Sequence, residues 1–339
     1  MSFNYLILIW FDANKRNLPW RDQTDPYKIW ISEIILQQTR VAQGTKYYLN
    51  FLKIFPTIRH LAEADEQQVL KLWQGLGYYS RARNLHQSAK FIVKQLNGRF
   101  PDHYSELLKL KGVGEYTAAA IASIAFGEIV PAIDGNAFRV MARYFDIELD
   151  ISDSKTKKYF HRLGAEIIDQ KRPGDFNQAV MELGATVCLP KNPKCEICPL
   201  NESCAALAKN KTDRLPVKSK KMKIKNRRLN FFEITDGENF LMVKRTKDDI
   251  WKNLYSFPLI ENQIKNQNPF GISDEPVHSS HTIHLLTHQR LTIDFWHLEL
   301  DEIEFKKLSE KIGAAVYSPE ELKSLPVPKP IENYLKSKI

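Results

Sequence analysis

The chain has 339 residues, room for two domains of ordinary size, and its 43% hydrophobic and 26% charged residues exclude disordered and fibrous classes. Lys and Arg number 49 against 40 Asp and Glu, and the net charge of +9 favours a polyanionic partner, nucleic acid or an acidic membrane surface. The four cysteines all fall between Cys188 and Cys204, whereas a disulfide-stapled secreted chain would spread them, so they read as one ligand cluster in a reducing compartment.

The apolar run Tyr5–Phe11 has no positive charge before it and no small-residue cleavage site after it. It predicts a first amphipathic helix packed on the core rather than a signal peptide. No run approaches the roughly 18 apolar residues of a membrane span. The expected location is the cytoplasm, nucleoid-associated in a prokaryote. From Tyr27 to Tyr48, Ile31, Ile34, Ile35, Gln38 and Ala42 recur at spacings of three and four, which predicts one helical face. Further helices are expected over 65–73 and 80–96, separated by LWQGLGYYSRARN, where Gly75 and Gly77 break the pattern ahead of Tyr78 and Tyr79. SELLKLKGVGEYTAAAIASIAFG then reads as a helix ending at Gly112, a GVG turn, and a second helix over Glu115–Phe126. In PGDFNQAVMELGATVC, Asp175 is the expected N-cap of another helix.

Composition changes at 215–228, where KSKKMKIKNRR (218–228) carries seven basic residues in eleven. Such a run is either a solvated linker or a tether along phosphates. Strand-like patterns follow in LNFFEIT, NFLMVKR and RLTIDFWHLEL, with one more helix expected at 302–312. The expected organisation is an all-α domain over 1–213, a basic connector over 214–228, and a mixed α/β domain over 229–339.

The cysteine spacing is Cys188-x6-Cys195-x2-Cys198-x5-Cys204. Four thiolates suit tetrahedral zinc or a [4Fe–4S] cubane. Structural zinc usually takes two C-x2–4-C knuckles, and only Cys195 and Cys198 form one here; a compact loop around one cubane fits better. With every iron held by Cys, the role is structural, presenting Lys191–Lys194 to a partner. In the turn LKGVGEY, Gly112 and Gly114 permit a tight corner and expose backbone N–H groups at a helix start, where a phosphate would bind. An ordinary helical corner is the plain alternative.

Taken in order, WISEIILQQT (30–39), LWQGLGYYSRARNLH (72–86), LKGVGEYTAAAI (110–121), VPAIDGNAFRV (130–140) and the cysteine loop resemble the helix–hairpin–helix DNA glycosylases with an iron–sulfur loop. Within them the resemblance is to the MutY-type adenine DNA glycosylases, and it covers most of the first domain. It implies excision of adenine mispaired with 8-oxoguanine or guanine in duplex DNA, a [4Fe–4S] cluster on Cys188, Cys195, Cys198 and Cys204, no membrane, and a monomeric enzyme. Adenine leaves poorly until protonated, so an acid must reach the flipped base. The resemblance makes Glu33 that acid, and its place among Trp and Ile in WISEIIL would raise its pKa by desolvation. Asp134, in AIDGN, is implied as the anion supporting an oxocarbenium-like sugar, with Asn136 orienting the site.

Sister enzymes that excise oxidised pyrimidines carry a Schiff-base lysine two residues after GVG. Here that residue is Tyr116, whose hydroxyl can bond Asp134 or substrate but cannot form the imine, which implies a monofunctional enzyme. The competing reading is a bifunctional glycosylase and abasic-site lyase. The resemblance further implies Gln38 and Tyr78 as wedges in the base stack, Trp20 and Arg21 as a wall of the adenine pocket, and hairpin contacts at Gly112 and Gly114. In the second domain, DDIWKNLYSFPLIE resembles the GLWxFP stretch of a nucleotide-pyrophosphate-hydrolase-like (Nudix-like) fold, without the glutamate-rich hydrolase signature. Its expected role is 8-oxoguanine recognition by Leu286, Thr287 and His288, in place of the family's Phe-Ser-His loop. A rival register uses Ser279, Ser280 and His281.

Overall fold

The computed structural model describes residues 2–219, 224–262, 270–271 and 274–338. Two compact units divide the chain: Met1–Glu63 with Gln87–Lys220, and Ala64–His86 with Lys221–Ile339. Ala64–His86, read from sequence as part of the helical domain, therefore groups with the C-terminal residues. Part of the expected connector, residues 220–223, lies outside the described residues.

The helices up to residue 208 are α1 (Phe3–Asn14), α2 (Pro26–Leu36), α3 (Val41–Ile54), α4 (Ile58–Glu63), α5 (Glu66–Leu72), α6 (Ser80–Gln95), α7 (Tyr104–Leu107), α8 (Glu115–Phe126), α9 (Gly135–Tyr144), α10 (Ser154–Ile167), α11 (Pro173–Thr186) and α12 (Ala205–Ala208). In the first unit, α11 packs against α1, α8 and α9, and α8 also packs against α2. Small residues set those distances: Ala118 to Ala122 are all buried, so neighbouring helices approach the α8 backbone closely.

Three expectations are corrected. The stretch 27–48 is two helices, because the chain turns between Leu36 and Val41 with Gln38 in the left-handed region at φ 57°. That conformation ends α2 even though the apolar spacing continues. Before the GVG turn, α7 spans only Tyr104–Leu107, and i→i+3 bonds carry the chain onward: Lys109 N–H to Glu106, Leu110 N–H to Leu107, Val113 N–H to Leu110. Asp175 is not the N-cap of α11. Pro173, whose missing N–H costs nothing at a helix start, opens that helix, and Asp175 in the first turn accepts from Arg172 Nε at 2.8 Å.

The second unit is a mixed sheet: β1 (Lys225–Thr235), β2 (Phe240–Lys244), β3 (Tyr255–Ser256), β4 (Leu259–Glu261), β5 (Val277–Leu285), β6 (Gln289–Glu299) and β7 (Ala315–Tyr317). Its main order is β3-β2-β1-β6-β5, with β1 parallel to β6 in the register Leu229↔Ile293 and β5 antiparallel to β6. Helices α13 (Glu302–Ile312), α14 (Pro319–Ser324) and α15 (Lys329–Lys338) complete the unit. Alternation along β1 and β6 gives two apolar faces. On one, Phe232, Ile234 and Leu298 meet Phe305 and Leu308 of α13; on the other, Phe295 stacks on Tyr334 of α15 at 4.1 Å. The basic run ends inside β1, where Arg227 pairs with Asp249 and Glu261 and Arg228 with Asp294, so these two guanidiniums serve the sheet. Ala64–His86 joins this unit through Lys71 Nζ to the Leu325 carbonyl (3.0 Å), Gln74 to the Val327 N–H (3.2 Å) and Arg83 to the Lys252 carbonyl (2.8 Å).

Candidate active site

In the first unit a pocket of about 220 Å³ is lined by Trp20, Arg21, Glu33, Tyr116, Asp134 and Asn136 together with Met181 and Glu182. That is smaller than the roughly 300 Å³ and upward of drug-sized ligand sites, and it suits one base. Four elements build it. Asp25 caps α2 by accepting from Tyr27 N–H at 3.0 Å, and the helix buries Ile29, Ile31, Ile34 and Ile35 while turning Glu33 to the pocket. Tyr116 sits in the first turn of α8. Asp134 is the N-cap of α9: its Oδ1 accepts from Ala137 N–H at 2.7 Å and its Oδ2 from Asn136 Nδ2 at 2.8 Å. Arg139 Nη2 donates to Asn136 Oδ1 at 2.8 Å and Nε to the Cys188 carbonyl at 2.7 Å, joining the carboxylate's support to the cysteine loop. Gly184 of α11 backs this corner, where an added Cβ would lie 2.5 Å from Asn136 Cβ.

The two carboxylates differ in their surroundings. Burial raises Glu33 to about 7, with the charge of Asp134 adding to it, while a hydrogen bond from Tyr116 and the Arg21 guanidinium oppose. Burial also raises Asp134, and the Ala137 N–H and Asn136 hold that rise back. The Tyr116 hydroxyl reaches both Met181 Sδ, at 2.9 Å, and Glu33, and its single proton goes to one or the other; the sequence had suggested Asp134 or substrate as its partner. Trp20 is buried, edge-on to Tyr48 at 5.3 Å.

Glu182 escaped the sequence reading. It is 1% exposed, and its carboxylate binds Arg16 Nε and Arg21 Nη2, both at 2.5 Å. Burial acts to raise it, but Arg16 and Arg21 outweigh that and hold it below the usual value. Its signal was an acid within the apolar stretch AVMELGA, the same signal that marked Glu33.

The other expected residues lie elsewhere. Gln38 is exposed and does not line the pocket. Gly112 takes φ 80° in the turn before α8, and Gly114 is the N-cap of that helix, with nothing within 4 Å of a Cβ placed there. In the second unit, Tyr78 (φ 48°), Leu286, Thr287 and His288 line a cavity of about 360 Å³ with Arg83 and Trp251. The Tyr78 hydroxyl bonds Thr287 Oγ1. Leu286 N–H donates to the Gln289 carbonyl at 2.8 Å, making 286–289 the turn between β5 and β6. Ser279 and His281 are strand residues already engaged, with Tyr334 at 2.9 Å and Asp294 at 2.7 Å.

Cys188, Cys195, Cys198 and Cys204 are free of disulfides and line one cavity with Val140, Leu183 and Leu200. Arg143 Nη1 donates to Cys188 Sγ at 3.3 Å. Four thiols, an apolar surround and a cationic donor fit an iron–sulfur group. Among the described residues, no three His, Cys, Asp or Glu converge on a single metal-ion position. No helix there is long and apolar enough to cross a membrane.

Fold and pocket are those of base-excision glycosylases: residues 31–166 match the HhH-GPD superfamily base excision DNA repair proteins, 188–204 the iron–sulfur binding domain of endonuclease III, and 230–337 the NUDIX domain. A thermostable thymine-DNA glycosylase structure aligns with 61% of this chain and 95% of its own (TM-score 0.57, 30% identity). An endonuclease III–DNA complex aligns with 62% of this chain and 99% of its own (TM-score 0.52), and at 22% identity it bears on the fold alone. The adenine DNA glycosylase of Buchnera aphidicola subsp. Schizaphis graminum is 35% identical, over 98% of this chain and 97% of its own. The human adenine DNA glycosylase is 45% identical over 60% of this chain and 39% of its own. The chain belongs to the adenine DNA glycosylases: an adenine-specific DNA glycosylase with an iron–sulfur-type domain and a C-terminal Nudix-like domain.

Proposed function

We propose that this enzyme removes adenine opposite 8-oxoguanine or guanine in duplex DNA, acting as a monomer in the cytoplasm, and leaves an abasic site. The observation that carries the reading is the pairing of Glu33, held near 7, with Asp134 in one base-sized pocket. A carboxyl near 7 is still partly protonated at neutral pH and so serves as a general acid. Glu33 delivers its proton to N7 of the flipped adenine, the C1′–N9 bond breaks with its electron pair leaving on the base, and water adds at C1′ while giving a proton back to the Glu33 carboxylate. Asp134, steadied by Asn136, faces the cationic sugar that forms in between. Arg21 and Glu182 pair a donor with an acceptor, the complement of adenine's N1 and amino group.

Strand cleavage by imine formation needs an amine, and no lysine is among the described residues lining the pocket. With Tyr116 at the position of the lyase lysine, this supports a monofunctional enzyme. Cys188, Cys195, Cys198 and Cys204 would hold a [4Fe–4S] cluster, a reading supported by the match of 188–204 to an iron–sulfur binding domain. When bound, that cluster supplies a rigid fold for the loop carrying Lys191 and Lys194. The hairpin at Gly112–Gly114 offers N–H donors to phosphate, Gln38 and Tyr78 enter the base stack, and the 286–288 turn reads the opposite base.

The test is single-turnover excision, developed with alkali, on duplexes with A opposite 8-oxoguanine, A opposite G, and thymine glycol opposite A, with Glu33→Gln alongside. Activity confined to thymine glycol, or undiminished in the variant, overturns the proposal.

A further inference from the structure

A second cavity, about 380 Å³, adjoins the catalytic pocket and is lined by Thr24, Ser123, Ala125, Gly127, Lys171 and Gly174 among others. Arg21, Ile124 and Gln178 line both. In that shared wall Arg21 Nη1 donates to Gln178 Oε1 at 2.8 Å, and the guanidinium lies over the Phe11 ring at 5.2 Å. Arg21 Nε is buried there without a hydrogen-bond partner among the described residues.

Helix direction orders the two linings. Tyr116, in the first turn of α8, lines only the catalytic pocket, whereas Ser123 and Ala125 near its far end, and Gly127 just past it, line only the second cavity, with Ile124 between them shared. The 12 residues of α8 put those ends about 18 Å apart. On α11, Gly174 and Asp175 near the start line the second cavity, and Met181, Glu182 and Ala185 near the end line the catalytic pocket. The GVG hairpin precedes α8 and the cysteine loop follows α11. The hairpin and the cysteine loop therefore stand at the catalytic-pocket ends of α8 and α11, and the second cavity is lined from the opposite ends.

We infer that the second cavity is the exit for the excised base, a neutral free purine. The inference rests on the proposed seating of DNA over the pocket mouth. Once C1′–N9 is cut, the abasic duplex still covers the way in. Rotation of Gln178 off Arg21, with Arg21 and Ile124 shifting rotamer, side-chain motions of the kind that occur in nanoseconds, joins the two cavities and lets adenine leave while DNA stays bound.

The experiment uses the full chain in excess over a duplex carrying tritiated adenine opposite 8-oxoguanine. Alkali-developed strand cleavage reports excision, label passing a filter that retains protein–DNA reports free adenine, and a fluorescent duplex reports DNA dissociation. In the wild type, free adenine appears before the duplex leaves. Ala125→Trp fills the second cavity without touching the catalytic pocket. Thr24→Trp does the same from an exposed position, should the first variant fold poorly. In either, excision keeps its rate while the early adenine phase is lost and adenine emerges only with the duplex. Unchanged early release in folded variants, or a wild type whose adenine never precedes the duplex, overturns the exit. A wild type that excises no adenine overturns the functional reading, and the exit with it.

Discussion

Replacing Glu33 by Gln should abolish excision and at the same time stabilise the protein at alkaline pH. The carboxyl sits at about 7 in the folded protein against 4.5 ordinarily. Between those values the native state holds a proton that the unfolded chain has released, so the native state loses its advantage as pH rises through that window. Carried to pH 8 the difference amounts to at most about 3 kcal/mol. Glu33 is only half-buried, and solvent with the nearby Arg21 screens it, which leaves about 1–2 kcal/mol to be measured. Gln keeps the shape and an acceptor for Tyr116 but carries no charge to desolvate. Urea unfolding should therefore show Glu33→Gln about 1–2 kcal/mol more stable than wild type at pH 8 and indistinguishable at pH 4. Single-turnover excision should fall by about 10²–10⁴-fold, and the wild-type rate should decline as pH rises through 7. Equal stability of the two proteins at pH 8 would refute a strained Glu33, whatever the activity.

Asp134→Asn should keep the cap on α9, since an amide oxygen still accepts from Ala137 N–H, and so hold stability within about 1 kcal/mol while excision collapses; thermal melts beside single-turnover assays check both. Gly184→Ala drives a methyl onto Asn136, and loosening a hydrogen bond to a carboxylate should slow excision about 10–100-fold, with duplex affinity, read by anisotropy, little changed. His288→Ala should reduce preference for 8-oxoguanine over guanine, whereas His281→Ala, which takes one partner from Asp294 and leaves it Arg228 and His278, should lower stability modestly and leave preference intact; the reverse pattern would shift the reading loop to 279–281. Cys198→Ser should lose bound iron, measured by iron assay and visible absorbance, and wild-type enzyme should give no rapid borohydride crosslink to an abasic duplex.

Where periodicity was regular the helices could be read directly: Glu115–Phe126 and Glu302–Ile312 fall where the residues place them. The break after Leu36 was hidden because apolar residues keep their spacing across it, and only the backbone at Gln38 reveals it. Strand β5 was missed because VHSSHTIHL, an edge strand, lacks the apolar alternation of a half-buried one. The chemistry of Glu33 was legible in its neighbours. Its meeting with Asp134 was not, since that depends on how α2, α8 and α11 pack. Arg16 and Arg21 escaped as partners of Glu182 for the same reason: pairing across more than 160 residues leaves no local trace.

The discontinuous second unit has a consequence for synthesis. Its first piece, Ala64–His86, leaves the ribosome 135 residues (221 − 86) before the rest begins to emerge. At about 5–20 residues per second that is a wait of roughly 7–27 s, during which the partners of Lys71, Gln74 and Arg83 do not yet exist. A fragment ending near residue 213 would make the wait permanent, holding the full catalytic pocket but a Tyr78 segment that never receives its sheet.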